Sequence, residues 1–411
     1  MMMKKVLLGV LAAVSVAGAQ AQQINEAELR THIEYLASDK LGGREPGTKG
    51  EKLAYTYIQK QFKAYGLLPK GEKGYLQHFT YKTMMSPHDT VAKGKEKNGT
   101  NVIGFLDNGA EYTIVIGGHY DHLGQHEHGS SLDREKQKGV IHNGADDNAS
   151  GTAGVLALAK YFAGNNVREK TNFLFMCYSA EEDGLIGSKY FTSHPTMELS
   201  KISCMINMDM VGRLNDSTKK VMVFGVGTSP AYTDVFASVR TPLTLSYDSS
   251  GVGPSDQTSF YLKNIPVLHF FSGQHTDYHK STDDADKINY AGEKLILELI
   301  ADIATTLSNG PKLPFTATKQ AEQTKVSFKV TLGIMPDYSY SGKGVKVDAA
   351  TPGKPAAVAG VLQNDIVVKL GDTQIENIYD YMKLLATFKK GDSTHIEVNR
   401  NDTIHKLQVT F

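Results

Sequence analysis

Apolar positions in this chain follow two rhythms. Leu29, Ile33 and Leu36 recur at helical spacing behind Asn25, an N-cap residue with Glu28 three positions on. Leu53, Tyr57, Ile58 and Phe62 mark a second amphipathic helix, stopped by Gly66 and Pro69 and joined to the first through the glycine turn 42–47. Beyond it, short continuous apolar runs predict strands at 101–106, 112–117, 171–178, 202–208, 220–224 and 265–271. Helical periodicity falls between them at 150–162, 185–191, 231–238 and 292–307. Apolar strands alternating with helices predict an α/β domain: a mixed, mostly parallel sheet between helices.

The pattern changes at Ser308-Asn309-Gly310-Pro311, and a polar stretch reads as a linker over 311–322. Short strands are then expected at 326–331, 344–348, 365–370, 395–399 and 405–411, with one helix at 378–388. Gly371-Asp372 and Asn401-Asp402 are hairpin-turn dipeptides. The expected organisation is a domain over 22–310 and a small β-rich domain over 323–411.

At the start, Lys4 and Lys5 precede an apolar run from Val6 to Val16, and Ala19-Gln20-Ala21 offers a cleavage site. Residues 1–21 therefore read as a signal peptide, and the mature protein is expected to be exported, periplasmic or extracellular, with no membrane span. Lys+Arg and Asp+Glu both total 44, so no global positive field points to nucleic acid. Cys177 and Cys204 lie in apolar runs and are expected to pack as buried thiols rather than form a bridge.

Acidic and imidazole clusters sit at the ends of the expected strands, in an order that suits a two-metal hydrolase. They are His119-Tyr120-Asp121-His122, Asp146-Asp147-Asn148, Glu181-Glu182-Asp183, Asp209 and Tyr278-His279. In an open α/β sheet such strand ends face one crevice, and imidazole with carboxylate donors suits zinc or a similar divalent first-row ion. Asp146-x-Asn148-x-Ser150-Gly151 mimics an EF-hand start, but Ala157 stands where a bidentate Glu is required. His126 and His128 belong to a polar insertion and read as solvated; His142, beside the Asp146 loop, is a candidate supporting residue. Asp256 reads equally as a crevice residue or a helix cap, and Arg44 as part of a glycine turn.

From about residue 26 to 307 the chain resembles the M28 family of zinc aminopeptidases. The carrying text is Gly-Gly-His119-Tyr-Asp121-His-Leu-Gly, Asn-Gly-Ala-Asp146-Asp147-Asn-Ala-Ser-Gly, Ser-Ala-Glu181-Glu182-Asp-Gly-Leu, Asn-Met-Asp209-Met and Asp-Tyr278-His279-Lys-Ser-Thr-Asp. The resemblance implies two zinc ions, with Asp146 bridging them and a cis peptide between Asp146 and Asp147. It implies His119 and Asp209 at one ion, and Glu182 and His279 at the other. Glu181 would be the general base, Asp121 the partner of His119, and Tyr278 a hydrogen-bond donor to the oxyanion. The implied substrates are peptides with a free N-terminus. The same fold also hosts carboxypeptidases, dipeptidases and glutaminyl cyclases, and an inactive peptide-binding protein is the alternative from another class.

Residues 323–411 resemble a PDZ domain through Thr331-Leu332-Gly333-Ile334, Ala359-Gly360-Val361-Leu362-Gln363-Asn364-Asp365-Ile366 and the helix from Ile378. That resemblance implies capture of a peptide C-terminus by strand addition. A β-domain that only packs against its neighbour or mediates self-association is the other reading.

Overall fold

The computed structural model describes residues 23–83, 94–125, 131–133, 139–318, 330–336, 340, 342–350 and 353–411. The expected leader and the insertion residues His126 and His128 lie outside them. Asn25 accepts the Ala27 amide at 2.8 Å and opens α1 (Glu26–Leu36); Thr48 accepts the Glu51 amide at 3.3 Å and opens α2 (Lys49–Ala64). The chain continues through β1 (Leu68–Pro69), β2 (Leu76–Lys82), β3 (Glu96–Leu106), β4 (Thr113–His119) and α3 (Gly151–Gly164). Next come β5 (Asn172–Tyr178), α4 (Ile186–Ser193), β6 (Ile202–Met208), β7 (Lys220–Phe224) and α5 (Ala231–Ser238). β8 (Thr244–Asp248), α6 (Gln257–Tyr261), β9 (Val267–Phe271) and α7 (Tyr290–Ser308) complete the first domain.

The sheet runs β1-β3-β5-β4-β6-β9-β7-β8, with β2 beside β3. Its centre, β5-β4-β6-β9, is parallel, and β3 and β7 flank that centre antiparallel. Every residue of β4, β5 and β6 is buried, because helices cover both faces. Alternate side chains serve opposite cores. Ile114, Ile116, Phe173, Phe175 and Ile206 pack towards Leu29, Phe62, Leu156 and Ile300, while Val115, Leu174, Met176 and Met205 pack towards Phe191 and Phe260. Each such fully buried side chain contributes about 1.5–3 kcal/mol. Cys177 and Cys204 are buried and unbridged.

Three elements carry no clear signal in the sequence. In β2 only Gln77 and Phe79 are buried, β8 has no buried residue, and α6 is one short turn of five residues. Pairing with β3 and β7 defines the two strands.

The second domain comprises β10 (Ile334–Pro336), β11 (Val345–Ala350), α8 (Pro355–Ala359), β12 (Ile366–Leu370), β13 (Thr373–Gln374), α9 (Ile378–Leu385), β14 (Ser393–Arg400) and β15 (Thr403–Thr410). Its antiparallel sheet runs β10-β11-β12-β14-β15, with β13 on β12, around Leu332, Val347, Val367, Ile396 and Val398. The strand expected at 326–331 falls mostly outside the described residues, and β10 begins at Ile334.

The first part of the expected linker is packed against the first domain. Leu313 is buried in its core and donates its amide to Ser203 Oγ at 3.1 Å; Phe315 lies 5.4 Å from the Tyr261 ring. The Thr318 amide donates to Tyr261 Oη at 3.0 Å. Among the described residues no helix is long and apolar enough to cross a membrane.

Candidate metal centre

The parallel centre of the sheet brings the chemistry-bearing residues to one edge. His119 ends β4, Glu181 and Glu182 follow β5, and Asp209 follows β6. Tyr278 and His279 lie in the loop after β9, and Asp146 and Asp147 in the turn that enters α3. The strands are neighbours, so their carboxyl ends share one crevice.

Asp147 stands at the middle. Its Oδ1 lies 3.5 Å from His119 Nε2, which is 3.4 Å from Asp209 Oδ1. Its Oδ2 lies 3.2 Å from His279 Nε2, which is 3.2 Å from Glu182 Oε2. His119, Asp147 and Asp209 thus form one group able to hold a metal ion, and His122, Asp147 and Glu182 form a second.

This corrects the expectation that Asp146 is the shared carboxylate. Asp146 Oδ1 accepts the Gly212 amide at 2.7 Å and the Ser150 hydroxyl at 3.1 Å, and its Oδ2 faces His275 Nε2 at 3.1 Å. The cis peptide is likewise one bond later, between Asp147 and Asn148. The cause lies in the turn. Asp283 Oδ2 accepts both the Asp146 and Asp147 amides, at 3.0 and 3.1 Å, and Asp147 has non-helical dihedrals (φ −104, ψ 92). Asn148 ties the turn to the end of β6: its side-chain Nδ2 donates to the Met208 carbonyl at 3.0 Å, and its Oδ1 accepts the Met210 backbone N–H at 3.2 Å. A side-chain carbon at Gly151 would sit 2.4 Å from that Met208 carbonyl, so glycine is needed where α3 starts.

Asp121 braces both flanking loops. Its carboxylate lies 3.6 Å from His119 Nδ1 and accepts the amides of Glu181 and Glu182. His122, which the sequence reading left without a role, has Nδ1 2.8 Å from Glu182 Oε1 and 3.9 Å from Asp147 Oδ2. Its only signal in the sequence is its place three residues after His119. Tyr278 stacks on the His279 ring at 3.9 Å. His142 lies apart from the two groups: its Nε2 faces Ser131 Oγ at 2.8 Å and Asp133 Oδ2 at 3.2 Å. That segment in turn supports the His279 loop, through the Leu132 amide on the His279 carbonyl (2.9 Å) and the Ser281 amide on Asp133 (3.1 Å). Asp256 makes no capping bond to α6, and burial pushes its carboxyl up to about 7.

The electrostatics are those of a cation site. Burial works against charge on His119 and His279, yet Asp209 and Glu181 around the first, and Glu182 and Asp147 around the second, hold both imidazoles well above their ordinary value. Burial opposes ionisation of Glu182 too, but His279 and His122 keep it well below the usual carboxylate range. Glu181 goes the other way. Burial raises it, His119 only partly offsets this, and repulsion from Asp209, Glu182 and Asp256 adds to the rise. His119 Nε2 is buried without a hydrogen-bond partner and faces carboxylate oxygens of Asp147 and Asp209. An imidazole nitrogen so placed, with carboxylates on either side, fits a divalent first-row cation.

Residues 101–304 match peptidase family M28, and residues 320–411 match a PDZ domain. Leupeptin-inactivating enzyme 1 of Streptomyces exfoliatus is 28% identical over 267 residues, covering 64% of this chain and 52% of that protein. The chain spans about half the length of the curated relatives it matches. Two solved structures share the fold. The zinc aminopeptidase BSAP of Bacillus subtilis superposes with a TM-score of 0.56 at 15% identity, over 71% of this chain and 98% of its own. A glutaminyl cyclase of Bacteroides thetaiotaomicron gives 0.56 at 16% identity, over 71% and 100%. The chain thus carries a peptidase family M28 domain over residues 101–304, followed by a PDZ domain over 320–411.

Proposed function

We propose that this chain is an exported metallo-aminopeptidase that releases N-terminal residues from peptides with a free amino terminus. The observation that carries the reading is Asp147, whose two carboxylate oxygens face two separate imidazole–carboxylate groups. His119, Asp147 and Asp209 would hold one divalent ion; Asp147, Glu182 and His279, with His122 beside them, would hold the other. Zinc is the ion that the donor set and the Bacillus neighbour favour. Such a pair, when bound, polarises a scissile carbonyl and acidifies the attacking water.

The chain's own residues do the rest. Glu181, as the carboxylate, takes the proton from water, its proton affinity raised by burial and by the neighbouring acids, and passes it to the departing amine. Asp121 fixes the His119 ring and the backbone under Glu181. Tyr278 donates a hydrogen bond to the oxyanion of the tetrahedral intermediate. The carboxylates around the crevice give a negative potential that suits a substrate ammonium group.

The proposed domain plan is a leader over 1–21, a peptidase domain over 22–310, a connection over 311–322 and a PDZ domain over 323–411. The apolar run from Val6 with Ala19-Gln20-Ala21 supports export. The PDZ domain would take a peptide C-terminus as an added strand, its carboxylate on backbone N–H groups near Leu332–Ile334.

The cyclase neighbour supports a second reading of the same crevice, as a transferase acting on N-terminal glutamine. Two ion groups sharing Asp147 favour hydrolysis over it. Metal analysis beside a panel of aminoacyl, N-blocked and N-terminal glutamine substrates decides between them. Release of the first residue only from free-amine substrates supports the proposal. Hydrolysis of blocked substrates alone, or cyclisation alone, rejects it.

A further inference from the structure

Arg44 lies between the two loops that carry the metal-binding residues. Gly42, Gly43 and Arg44 run left-handed in succession, with φ of 53, 73 and 51. That conformation costs a non-glycine residue about 1–2 kcal/mol. At Gly43 a side-chain carbon would come 2.5 Å from the His142 carbonyl, so the turn is pressed against the loop it serves. The turn sends the Arg44 side chain inward, where it is fully buried.

There the guanidinium donates to four backbone carbonyls. Nε reaches Tyr120 at 2.6 Å, Nη1 reaches Leu36 and Asn143 at 2.6 Å each, and Nη2 reaches Gly144 at 2.9 Å. Tyr120 sits between His119 and Asp121. Asn143 and Gly144 lead directly into the turn that presents Asp147. One planar fork therefore spans both loops, a geometry that an ammonium group cannot reproduce.

The charge is matched as well as the shape. Burial pulls the guanidinium down to about 10, while Asp121, Asp147, Asp283 and Glu182 favour its charged form, so it stays cationic at neutral pH. A strained backbone and a buried charge are two costs that a plain turn has no need of.

We infer that Arg44 is a positioning residue that preforms the metal cradle, locking the Tyr120 and Gly144 segments in their ion-ready arrangement before any ion arrives. The inference rests on the proposed metal reading and adds to it a residue that touches neither ion nor substrate.

The test uses the full chain, with zinc and cobalt as probes. In wild-type protein stripped of metal, hydrogen exchange of the amides at 120–124 and 144–150 should stay within about threefold of the loaded protein. Wholesale loss of protection there on stripping overturns the inference, and this arm needs no variant to fold. Arg44→Lys keeps the charge without the fork; Arg44→Met keeps only the bulk. In both, the chelator concentration that removes half the metal should fall by about 10-fold or more. The visible spectrum of the cobalt-loaded protein should change, a signature that lowered stability alone does not move. Ile265→Val, a change in the separate core on the other face of the sheet, should leave both readouts alone. Affinity within about twofold of wild type in a folded Arg44 variant, or full rescue by lysine, overturns the inference while the metal reading stands. Wild-type protein that takes up no metal overturns both.

Discussion

The carboxylate of Asp121 accepts the backbone N–H of Glu181 at 3.1 Å. Its other oxygen takes the Glu182 amide at 3.3 Å, and its Oδ1 lies 3.6 Å from His119 Nδ1. One buried acid therefore sets both the imidazole proposed as a metal ligand and the strand end bearing the proposed base. Asp121→Ala removes all three supports, and metal affinity or activity should fall about 10–100-fold. Chelator titration and steady-state kinetics measure the two losses separately; wild-type values for both would remove Asp121 from the site.

Adjacent acids should behave differently. Asp147→Asn ought to release metal from both groups and cut activity by more than about 100-fold, beyond what an outer partner costs. Asp146→Asn keeps acceptors for Gly212 and Ser150 and should retain its metal content. Metal analysis of the two purified variants tests the one-residue correction; the opposite ranking would restore Asp146 to the centre.

On the proposed reading Glu181 acts in the chemistry rather than in ion binding. Glu181→Gln should keep full metal content while turnover drops about 10²–10⁴-fold. Unchanged turnover with aminoacyl substrates would assign the proton transfer to another group.

Acid should strip the site early. His119 and His279 are held well above the ordinary imidazole value by their carboxylate neighbours, and an imidazole must be neutral to bind a metal ion. Protons therefore compete with the ion at a higher pH than for an ordinary histidine. Metal retained through desalting should decline at a higher pH than ordinary histidine ligands would give, and full retention down to about pH 5 would contradict the assignment.

The two domains should part at a defined place. Truncation after Thr318 leaves Leu313, Phe315 and the Tyr261 contacts intact, and hydrolysis of small aminoacyl substrates should persist. Truncation after Gly310 removes Leu313, whose burial contributes about 1.5–3 kcal/mol, and should lower the unfolding temperature. Equal melting of the two truncations would show that this segment adds nothing to the first domain.

Much of this was legible in the chain, for a physical reason. Parallel strands buried on both faces must be written as continuous apolar runs, so β4, β5, β6 and β9 stand out, and polar clusters just past their ends share one crevice. That placed His119, Glu181, Glu182, Asp209 and His279 without coordinates. The choice between Asp146 and Asp147 was not readable, because it depends on the dihedrals of one turn and on Asp283, far along the chain. Arg44 was read as part of a turn for a related reason. Its partners are backbone carbonyls of Leu36, Tyr120, Asn143 and Gly144, and a carbonyl has no letter in a sequence. β8 shows the converse case, a strand with no apolar rhythm that exists through pairing with β7.

The order of the pieces along the chain also sets when the centre can form. His279 arrives only with the loop after β9, and β9 must first insert between β6 and β7. A half-made polypeptide on the ribosome has Asp147 and Glu182 but no far wall opposite them. The proposed centre can therefore be completed only after residue 279 of the 411 has been added, when the loop after β9 meets the strand ends made before it.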